Sequence, residues 1–251
     1  MSVSLRCYST SLGCPKNRVD TERLLGSLGV ALVPVESPDE AELVFINTCA
    51  FIQPATEESV RTIAQAIADI EELPKRPLLA VAGCLVGRYH AEDLAPELPE
   101  VDLWLDNSDL EAWPAMLARK LGLPEPTVPG RILSTGPSYA WLKISDGCRH
   151  ACSFCAIPNI RGGHRSHCKD MIVREARALL DQGVKELNLV AQDLTEWGCD
   201  LDGKQDLRTL LDGLLPLPGL ERLRLMYLYP AGMTHEMLKY LCEAGKPFVP
   251  Y

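Results

Sequence analysis

Three cysteines in the first third of the chain constrain its fold more than any other feature. Cys14, Cys49 and Cys84 are separated by equal intervals of 35 residues, and each follows a short apolar segment. Short β-rich segments followed by helical ones are typical of the βα units of a parallel sheet. Ligands of such sheets bind just beyond the carboxyl ends of the strands. The pattern therefore predicts three thiols that converge at one sheet edge; three unrelated buried thiols are the alternative.

A second group of cysteines lies in one short segment. Three residues separate Cys148 from Cys152, and two separate Cys152 from Cys155. Three thiolates on one loop can hold three irons of a cubane cluster and leave the fourth iron open to a substrate or cofactor. Structural zinc is the alternative, although its sites usually show two C-x-x-C pairs or one such pair with a distant His pair. A zinc site here would need to recruit histidines from the set His150, His164 and His167.

Composition narrows the class of protein. The chain has 251 residues, which favours two domains, and ten cysteines. We expect a cytoplasmic protein because the first ten residues lack the pattern of a signal peptide and no apolar segment is long enough to span a bilayer. In that compartment, metal binding explains many cysteines better than disulfides do. The net charge of −9 argues against a large nucleic-acid footprint.

A segment rich in proline and glycine predicts where the domains divide. We place an amino-terminal α/β domain with a parallel sheet at 1–122, a linker at 123–137 and a partial (βα) barrel at 138–251. Helical periodicity predicts helices over 18–28, 56–72, 109–121, 170–182, 207–215 and 234–244. In the second domain, strands are predicted over 139–144, 186–190, 223–228 and 247–251.

Several motifs resemble a known family. Lys-Ile-Ser-Asp-Gly-Cys at 143–148, with Cys152 and Cys155, resembles the cluster loop of the radical S-adenosylmethionine (SAM) enzymes. The upstream trio resembles the amino-terminal domain of the methylthiotransferases. Segments 11–20, 47–52, 156–162 and 186–193 are similar to the branch that modifies an aspartate of small-subunit ribosomal protein twelve. The transfer-RNA branch usually has Gln-Met in place of Pro15-Lys16.

The resemblance implies the cofactors and partners. Two 4Fe-4S clusters are expected, one on Cys14, Cys49 and Cys84 and one on Cys148, Cys152 and Cys155. The second would bind SAM, and an electron donor of the flavodoxin or ferredoxin type would serve it. The substrate implied is the β-carbon of an aspartate in the small-subunit ribosomal protein.

Two further residues are candidates for cofactor binding. Phe154 resembles the aromatic residue that packs near the adenine of SAM, with a core aromatic as the alternative. Gln192 follows a predicted strand and could reach the cofactor, or could simply satisfy backbone groups.

Other polar and sulfur-containing residues carry weaker interpretations. A basic run is interpreted either as a solvated face or as a substrate or cofactor contact; it comprises Arg161, His164, Arg165, His167 and Lys169. Four cysteines are expected to be free thiols without a ligand role: Cys7, Cys168, Cys199 and Cys242.

The family pattern also predicts a longer chain. The resemblance implies a larger barrel followed by a small carboxyl-terminal β-domain, TRAM, so we expect these residues to be a truncated form or fragment. Two alternative functions remain. One is a transfer-RNA adenosine methylthiotransferase, and the other is a non-catalytic iron–sulfur or electron-transfer module.

Overall fold

The structure is a computed structural model that describes residues 4–203 and 205–250. These residues divide into two compact units. The first contains the residues up to Ile132 together with Asn159–Arg161, and the second contains Leu133–Pro158 and the residues from Gly162 onward. The predicted linker, 123–137, includes the point of division between Ile132 and Leu133, but its bounds stay a prediction.

The first unit is built on a five-stranded parallel sheet. Its strands are β1 (Ser4–Ser11), β2 (Ala31–Pro34), β3 (Leu43–Thr48), β4 (Leu78–Gly83) and β5 (Leu103–Asp106), in the order β2-β1-β3-β4-β5. Its helices are α1 (Pro15–Ser27), α2 (Gln53–Ile70), α3 (Cys84–Tyr89), α4 (Ala91–Leu94) and α5 (Trp113–Leu121). Every residue of the central strand β3 is buried, as expected for a parallel sheet covered on both faces.

The second unit repeats the alternation of strands and helices on a smaller scale. Its elements are β6 (Tyr139–Lys143), β7 (Ser145–Asp146), α6 (Ile157–Arg161, which ends within the first unit), β8 (Arg165–Ser166), α7 (Lys169–Asp181), β9 (Glu186–Val190), α8 (Leu207–Leu214), β10 (Arg222–Leu225) and α9 (His235–Glu243). Strands β10, β9 and β6 form a parallel sheet in that order, while β7 and β8 pair antiparallel. The core is rich in leucine and contains the buried Trp197.

The structure confirms the predicted fold class, an α/β chain with parallel sheets, and corrects several elements. Strands β2 and β5 were not predicted. Residues 109–112 are not part of α5, because a short 3₁₀ turn at Asn107–Asp109 precedes that helix. The strand predicted at 247–251 is reduced to one bridge between Phe248 and Leu223, and Tyr251 lies outside the described residues.

Among the described residues, no helix combines the length and the apolar composition needed to cross a bilayer.

Candidate functional sites

The structure brings the first cysteine trio to one edge of the first unit's sheet. Cys49 directly follows β3, and Cys84 directly follows β4 as the first residue of α3. Cys14 is the N-cap residue of α1, just beyond β1. Because β1, β3 and β4 are adjacent and Thr48 pairs with Gly83, the three strands end at the same level. The convergence expected from the sequence is present, while the ligand role of the thiols stays a prediction.

Glycines allow the backbone to approach closely at this edge. Gly13 has φ +79°, and a Cβ there would lie 2.6 Å from both Cβ and Sγ of Cys49. Gly83 has φ +99°, and a Cβ there would lie 2.2 Å from Oδ1 of Asn47. Both conformations favour glycine, and any side chain would displace neighbours of the thiols. The absence of a side chain at Gly13 and Gly83 therefore allows the loops before Cys14 and Cys84 to adopt their conformations.

Two buried asparagines hold the loops together. Nδ2 of Asn17 donates to the carbonyls of Leu12 and Thr48, at 2.8 Å each. Nδ2 of Asn47 donates to the carbonyl of Asn17 at 2.9 Å. These bonds join the segment around Cys14 to the end of β3. Neither asparagine was predicted to be a positioning group, although both belong to segments that carried the resemblance.

Amide groups also surround the sulfur of Cys84. Its Sγ lies 3.9 Å from Oδ1 of Asn17 and 3.8 Å from Nδ2 of Asn107. Cys84 is 4% exposed and Cys49 is 8% exposed. Hydrogen bonds to ligand sulfur and exclusion of solvent are two of the means by which proteins tune iron–sulfur clusters.

Charge at this edge is partly balanced by a buried arginine. Burial raises the pKa of the Cys49 thiol, and the neighbouring Cys84 and Cys14 raise it further, whereas Arg161 lowers it. Arg161 is 3% exposed, forms an ion pair with Asp20 at 3.3 Å and donates to Oδ1 of Asn17. The Cys49 thiol therefore interacts electrostatically with the other two, and Arg161 favours the ionised form of Cys49.

The second cysteine trio lies on the loop that follows β6 and β7. Gly147, with φ +67°, begins it, and a Cβ there would lie 2.1 Å from the carbonyl oxygen of Gly163. The N–H of Cys148 donates to the carbonyl of Gly162 at 3.2 Å, and that of Cys155 donates to the carbonyl of Cys152 at 3.1 Å. Cys152 is exposed and the other two cysteines are half-buried.

The pKa of the Cys148 thiol is raised by burial and by neighbouring negative charges, as is that of Cys49 in the first unit. For Cys148, these negative charges are those of Cys155, Asp193 and Cys152. A cation or a cationic cluster bound at the loop would reverse the effect of these charges, since thiolates are the form that binds metal.

Histidine and acidic side chains brace this loop. Nε2 of His150 lies 2.8 Å from Oδ2 of Asp193, a buried residue beyond the end of β9, and the His150 ring packs against Tyr229 at 4.7 Å. Oδ1 of Asp193 accepts from the N–H and the hydroxyl of Thr195. The carboxylate therefore fixes both the loop and the turn that follows β9.

A second brace lies at the base of the loop. Lys143 is 1% exposed, and its Nζ lies 2.9 Å from Oδ2 of Asp146. Nε2 of His167 contacts the same oxygen at 3.3 Å, and its Nδ1 lies 3.1 Å from the carbonyl oxygen of Lys143. His164 contacts Ser166 and Asp200. Ring nitrogens of all three histidines thus contact groups other than the cysteines of this trio.

The burial and contacts of Phe154 and Gln192 distinguish the two interpretations given to each residue. Phe154 is 88% exposed, so its interpretation as a core aromatic is wrong. Oε1 and Nε2 of Gln192 are both buried without a hydrogen-bond partner among the described residues. The reading in which Gln192 satisfies backbone groups is therefore also wrong. A buried amide with neither atom paired is costly unless another group completes its hydrogen bonds, so Gln192 has free capacity for a polar ligand. The cofactor-binding roles of Gln192 and Phe154 stay predictions.

The basic run is not a single solvated face. Arg161 is buried, and His164 and His167 contact acidic side chains, while Arg165 is exposed. Among the remaining cysteines, Cys7 is a core residue, and burial raises the pKa of its thiol to about 12. Cys168, Cys199 and Cys242 are exposed free thiols.

A cavity in the second unit lies at the other end of its sheet. Its volume is about 710 Å³, and residues beside the start of β10 and near the end of the chain line it, including Leu220, Pro247 and Val249. The cysteines instead follow the carboxyl ends of strands, where parallel sheets place their chemistry. We therefore assign the cavity no part in the candidate sites.

Both trios suit iron–sulfur clusters by the chemistry of their donors. Each provides three thiols, and neither of the two segments of sequence supplies a fourth. Thiolates are the ligands of such clusters, and a three-thiolate set leaves one iron for another ligand.

Comparison with known families divides the chain in the same way. Residues 6–106 match a family described as uncharacterized protein family UPF0004. Residues 142–250 match the radical SAM superfamily. Each match contains one complete cysteine trio.

Two similar proteins carry the same name. The ribosomal protein uS12 methylthiotransferase RimO of Nitratidesulfovibrio vulgaris is 68% identical over 244 residues, which cover 97% of this chain and 57% of the relative. RimO of Lawsonia intracellularis is 59% identical over 251 residues, covering 100% and 57%. The chain thus spans a little over half the length of these relatives.

Solved structures agree on the fold. The radical SAM methyltransferase TsrM of Kitasatospora setae, with cobalamin and a [4Fe-4S] cluster bound, superposes with a TM-score of 0.62 at 14% identity, covering 98% of this chain and 59% of TsrM. The cobalamin-dependent radical enzyme OxsB gives 0.53 at 14% identity, covering 95% and 41%. At such identities the likeness concerns the fold alone. Over almost its whole length the chain is similar to the methylthiotransferases named RimO, and its two parts match UPF0004 and the radical SAM superfamily.

Proposed function

We propose that the chain serves a radical SAM methylthiotransferase that adds a methylthio group to the β-carbon of an aspartate in ribosomal protein uS12. The observation that carries the proposal is the presence of two separate three-cysteine sites, each beyond the carboxyl ends of parallel strands. The names of the similar proteins support the substrate. One open cluster would suffice for SAM alone, and the second trio is the feature that a sulfur transfer requires.

Six cysteines would hold the two 4Fe-4S clusters: Cys14, Cys49, Cys84, Cys148, Cys152 and Cys155. When bound, the cluster on the loop together with SAM supplies the radical chemistry that an unactivated carbon requires. The protein's own part is to exclude water and fix the ligands. In the first unit it does so by burying Cys49 and Cys84, and amide groups lie beside the sulfur of Cys84.

In the second unit, two side chains are suited to bind the cofactor. Gln192 offers a buried donor and a buried acceptor to its polar groups. Phe154 offers an exposed ring to its adenine. The contact between His150 and Asp193 orients the loop that carries the thiols, so it belongs to positioning and not to proton transfer.

The expected partners follow from charge and chemistry. A net charge of −9 favours association with a basic protein such as a ribosomal subunit component, through long-range attraction. An electron donor of the flavodoxin or ferredoxin type would reduce the loop cluster. Ribosomal protein and such donors share the cytoplasm, which is the compartment we propose.

A direct assay tests the substrate. The chain is reconstituted anaerobically with iron and sulfide, then incubated with SAM, a reductant and either uS12 or transfer RNA. Replacement of H by SCH₃ adds roughly 46 Da, which mass spectrometry detects on the aspartate. The Nitratidesulfovibrio RimO relative serves as positive control, and Cys152→Ala as negative control.

The outcomes separate the candidate functions. Modification confined to transfer RNA would overturn the proposal in favour of the transfer-RNA branch. If the control relative modifies uS12 while the chain binds two clusters without turnover, the chain itself is an iron–sulfur module and the proposal fails for these 251 residues.

A further inference from the structure

A group of potential metal ligands in the second unit lies outside both cysteine trios. It consists of His164, Cys199 and Asp200, whose ligand atoms all lie within 4.8 Å of one another. Cys199 and Asp200 follow the turn after β9, and His164 precedes β8. Cys199 was expected to have no ligand role, because 35 residues of chain separate it from His164 and no local motif links the two.

A hydrogen bond orients one of the three ligands, and a second ligand atom, Nε2 of His164, contacts a hydroxyl that it would exchange for the metal. The N–H of Ser166 donates to Oδ2 of Asp200 at 2.9 Å, which leaves Oδ1 directed toward His164. Nε2 of His164 lies 3.6 Å from that Oδ1 and 3.0 Å from the hydroxyl of Ser166. The His164 side chain is 4% exposed, whereas Cys199 is at the surface. The ligands therefore form a site with a buried floor and an open side.

The distances suit a small tetrahedral cation. Zinc bonds nitrogen and oxygen at about 2.0–2.2 Å, so two such ligands at tetrahedral angles are about 3.4 Å apart. The observed 3.6 Å between Nε2 of His164 and Oδ1 of Asp200 is close to that separation. Imidazole, thiolate and carboxylate are the three ligand types that zinc accepts, and a fourth position open to water completes the set.

We propose that His164, Cys199 and Asp200 form a binding site for zinc or a similar divalent transition metal, separate from the iron–sulfur sites. The bound ion joins the segment before β8 to the segment after β9. Arg149, beside Cys148, interacts with Cys199 and forms an ion pair with Glu196 at 3.0 Å. With the metal bound to Cys199, Arg149 keeps its pair with Glu196, so the site remains compatible with the loop conformation.

Zinc binding is measured on the reconstituted chain, in which the six cluster cysteines are occupied. After removal of loosely held metal with a chelator, the protein is titrated with Zn²⁺, and zinc, iron and sulfide are determined by mass spectrometry and colorimetry. We expect one equivalent of tightly held zinc per chain without loss of iron. X-ray absorption at the zinc edge should show one sulfur ligand at about 2.3 Å.

Variants decide whether these residues hold the metal. Cys199→Ser and Asp200→Asn should weaken zinc affinity by at least about 10- to 100-fold, the loss seen even for groups that only support a ligand. Cys242→Ser, at an exposed thiol of α9, is the matched control and should bind zinc normally. The proposal is overturned if wild-type protein holds no zinc, if zinc enters only as iron leaves, or if Cys199→Ser and Asp200→Asn retain full affinity.

Discussion

The two cysteine trios are built by different means. In the first unit, three βα units each contribute one thiol, and two of the three thiols are buried. In the second unit, one loop carries all three, and Cys152 is exposed. The first site therefore depends on the whole sheet, whereas the second depends on the sequence of one loop and the contacts that brace it. A protein can thus place two chemically similar centres under separate structural control.

Removing the thiols of either trio should give the largest effect, because each site should lose its cluster independently. The triple variant C14A/C49A/C84A should lose about half of the iron and sulfide of the reconstituted protein, because thiolates are the cluster ligands. Cys152→Ala should lose the other half and abolish formation of 5′-deoxyadenosine. Iron and sulfide analysis checks both. Unchanged iron in the triple variant would remove the first site from consideration.

Thiol reactivity in the metal-free protein sharpens the comparison. Under anaerobic conditions we expect iodoacetamide to modify the exposed Cys152 before the buried Cys49, because burial raises the pKa of Cys49. Cys7 should react last, with about 1000-fold less thiolate than an ordinary cysteine, because its pKa is raised from 9.0 to about 12. Mass spectrometry of quenched samples gives the order.

The raised pKa of Cys7 also makes its contribution to stability and its alkylation rate depend on pH. Since the pKa of Cys7 is raised in the folded state, its contribution to stability is complete below about pH 9 and is lost as the pH rises through about 12. Its alkylation rate should rise about tenfold per pH unit in that window. Equal rates for Cys7 and Cys152 at pH 8 would contradict the structure.

Breaking the brace beneath the loop tests how the second site is held. Lys143→Met leaves Asp146 buried without its ammonium partner and should lower the free energy of unfolding by about 3 kcal/mol, as loss of one member of a buried pair does. Lys239→Met, in an exposed pair with Glu243, should change it by less than about 0.5 kcal/mol. Denaturant titration compares the two variants. Equal effects would show that Lys143 is not structurally needed.

The smallest expected effect comes from replacing Gly13, which lies at the first site, with Gly122 as its control. Gly13→Ala should cost about 1–3 kcal/mol and loosen iron at the first trio, since its Cβ meets Cys49 and its φ is positive. Gly122→Ala also has positive φ, +71°, but its Cβ meets no described atom within 4 Å. It should cost about 1 kcal/mol and leave iron binding intact. Equal iron retention in both variants would refute the role of Gly13.

The sequence predicted the long elements and the cysteines well, for a physical reason. Helices such as α2 and strands such as β9 carry a full hydrophobic period, which is a local signal. Strand β2 has four residues, of which three are exposed and one is half-buried, so its hydrophobic pattern is too short to recognise. Strand β5 is equally short, and only its pairing with β4 defines it.

Charged side chains were harder to predict, because their partners lie far away in the chain. Arg161 is part of a run that looks solvated, yet Asn17 and Asp20 bury it. Asp193 lies in a segment that carried the resemblance but was not singled out there, and its contact with His150 depends on tertiary structure. Phe154 and Gln192 were identified, but only the structure shows that one is exposed and the other buried without a partner.

Strand adjacency has a consequence for how the first site tolerates change in evolution. Its three thiols are aligned by β1, β3 and β4, so the number of residues that connect one strand to the next does not enter the geometry. An insertion between Ile70 and Leu78 would lengthen a surface connection at a small entropic cost and leave Cys84 in place. The equal spacing of 35 residues is therefore incidental. Distant homologues of this site should be sought by cysteines that end neighbouring strands, whatever their separation along the chain.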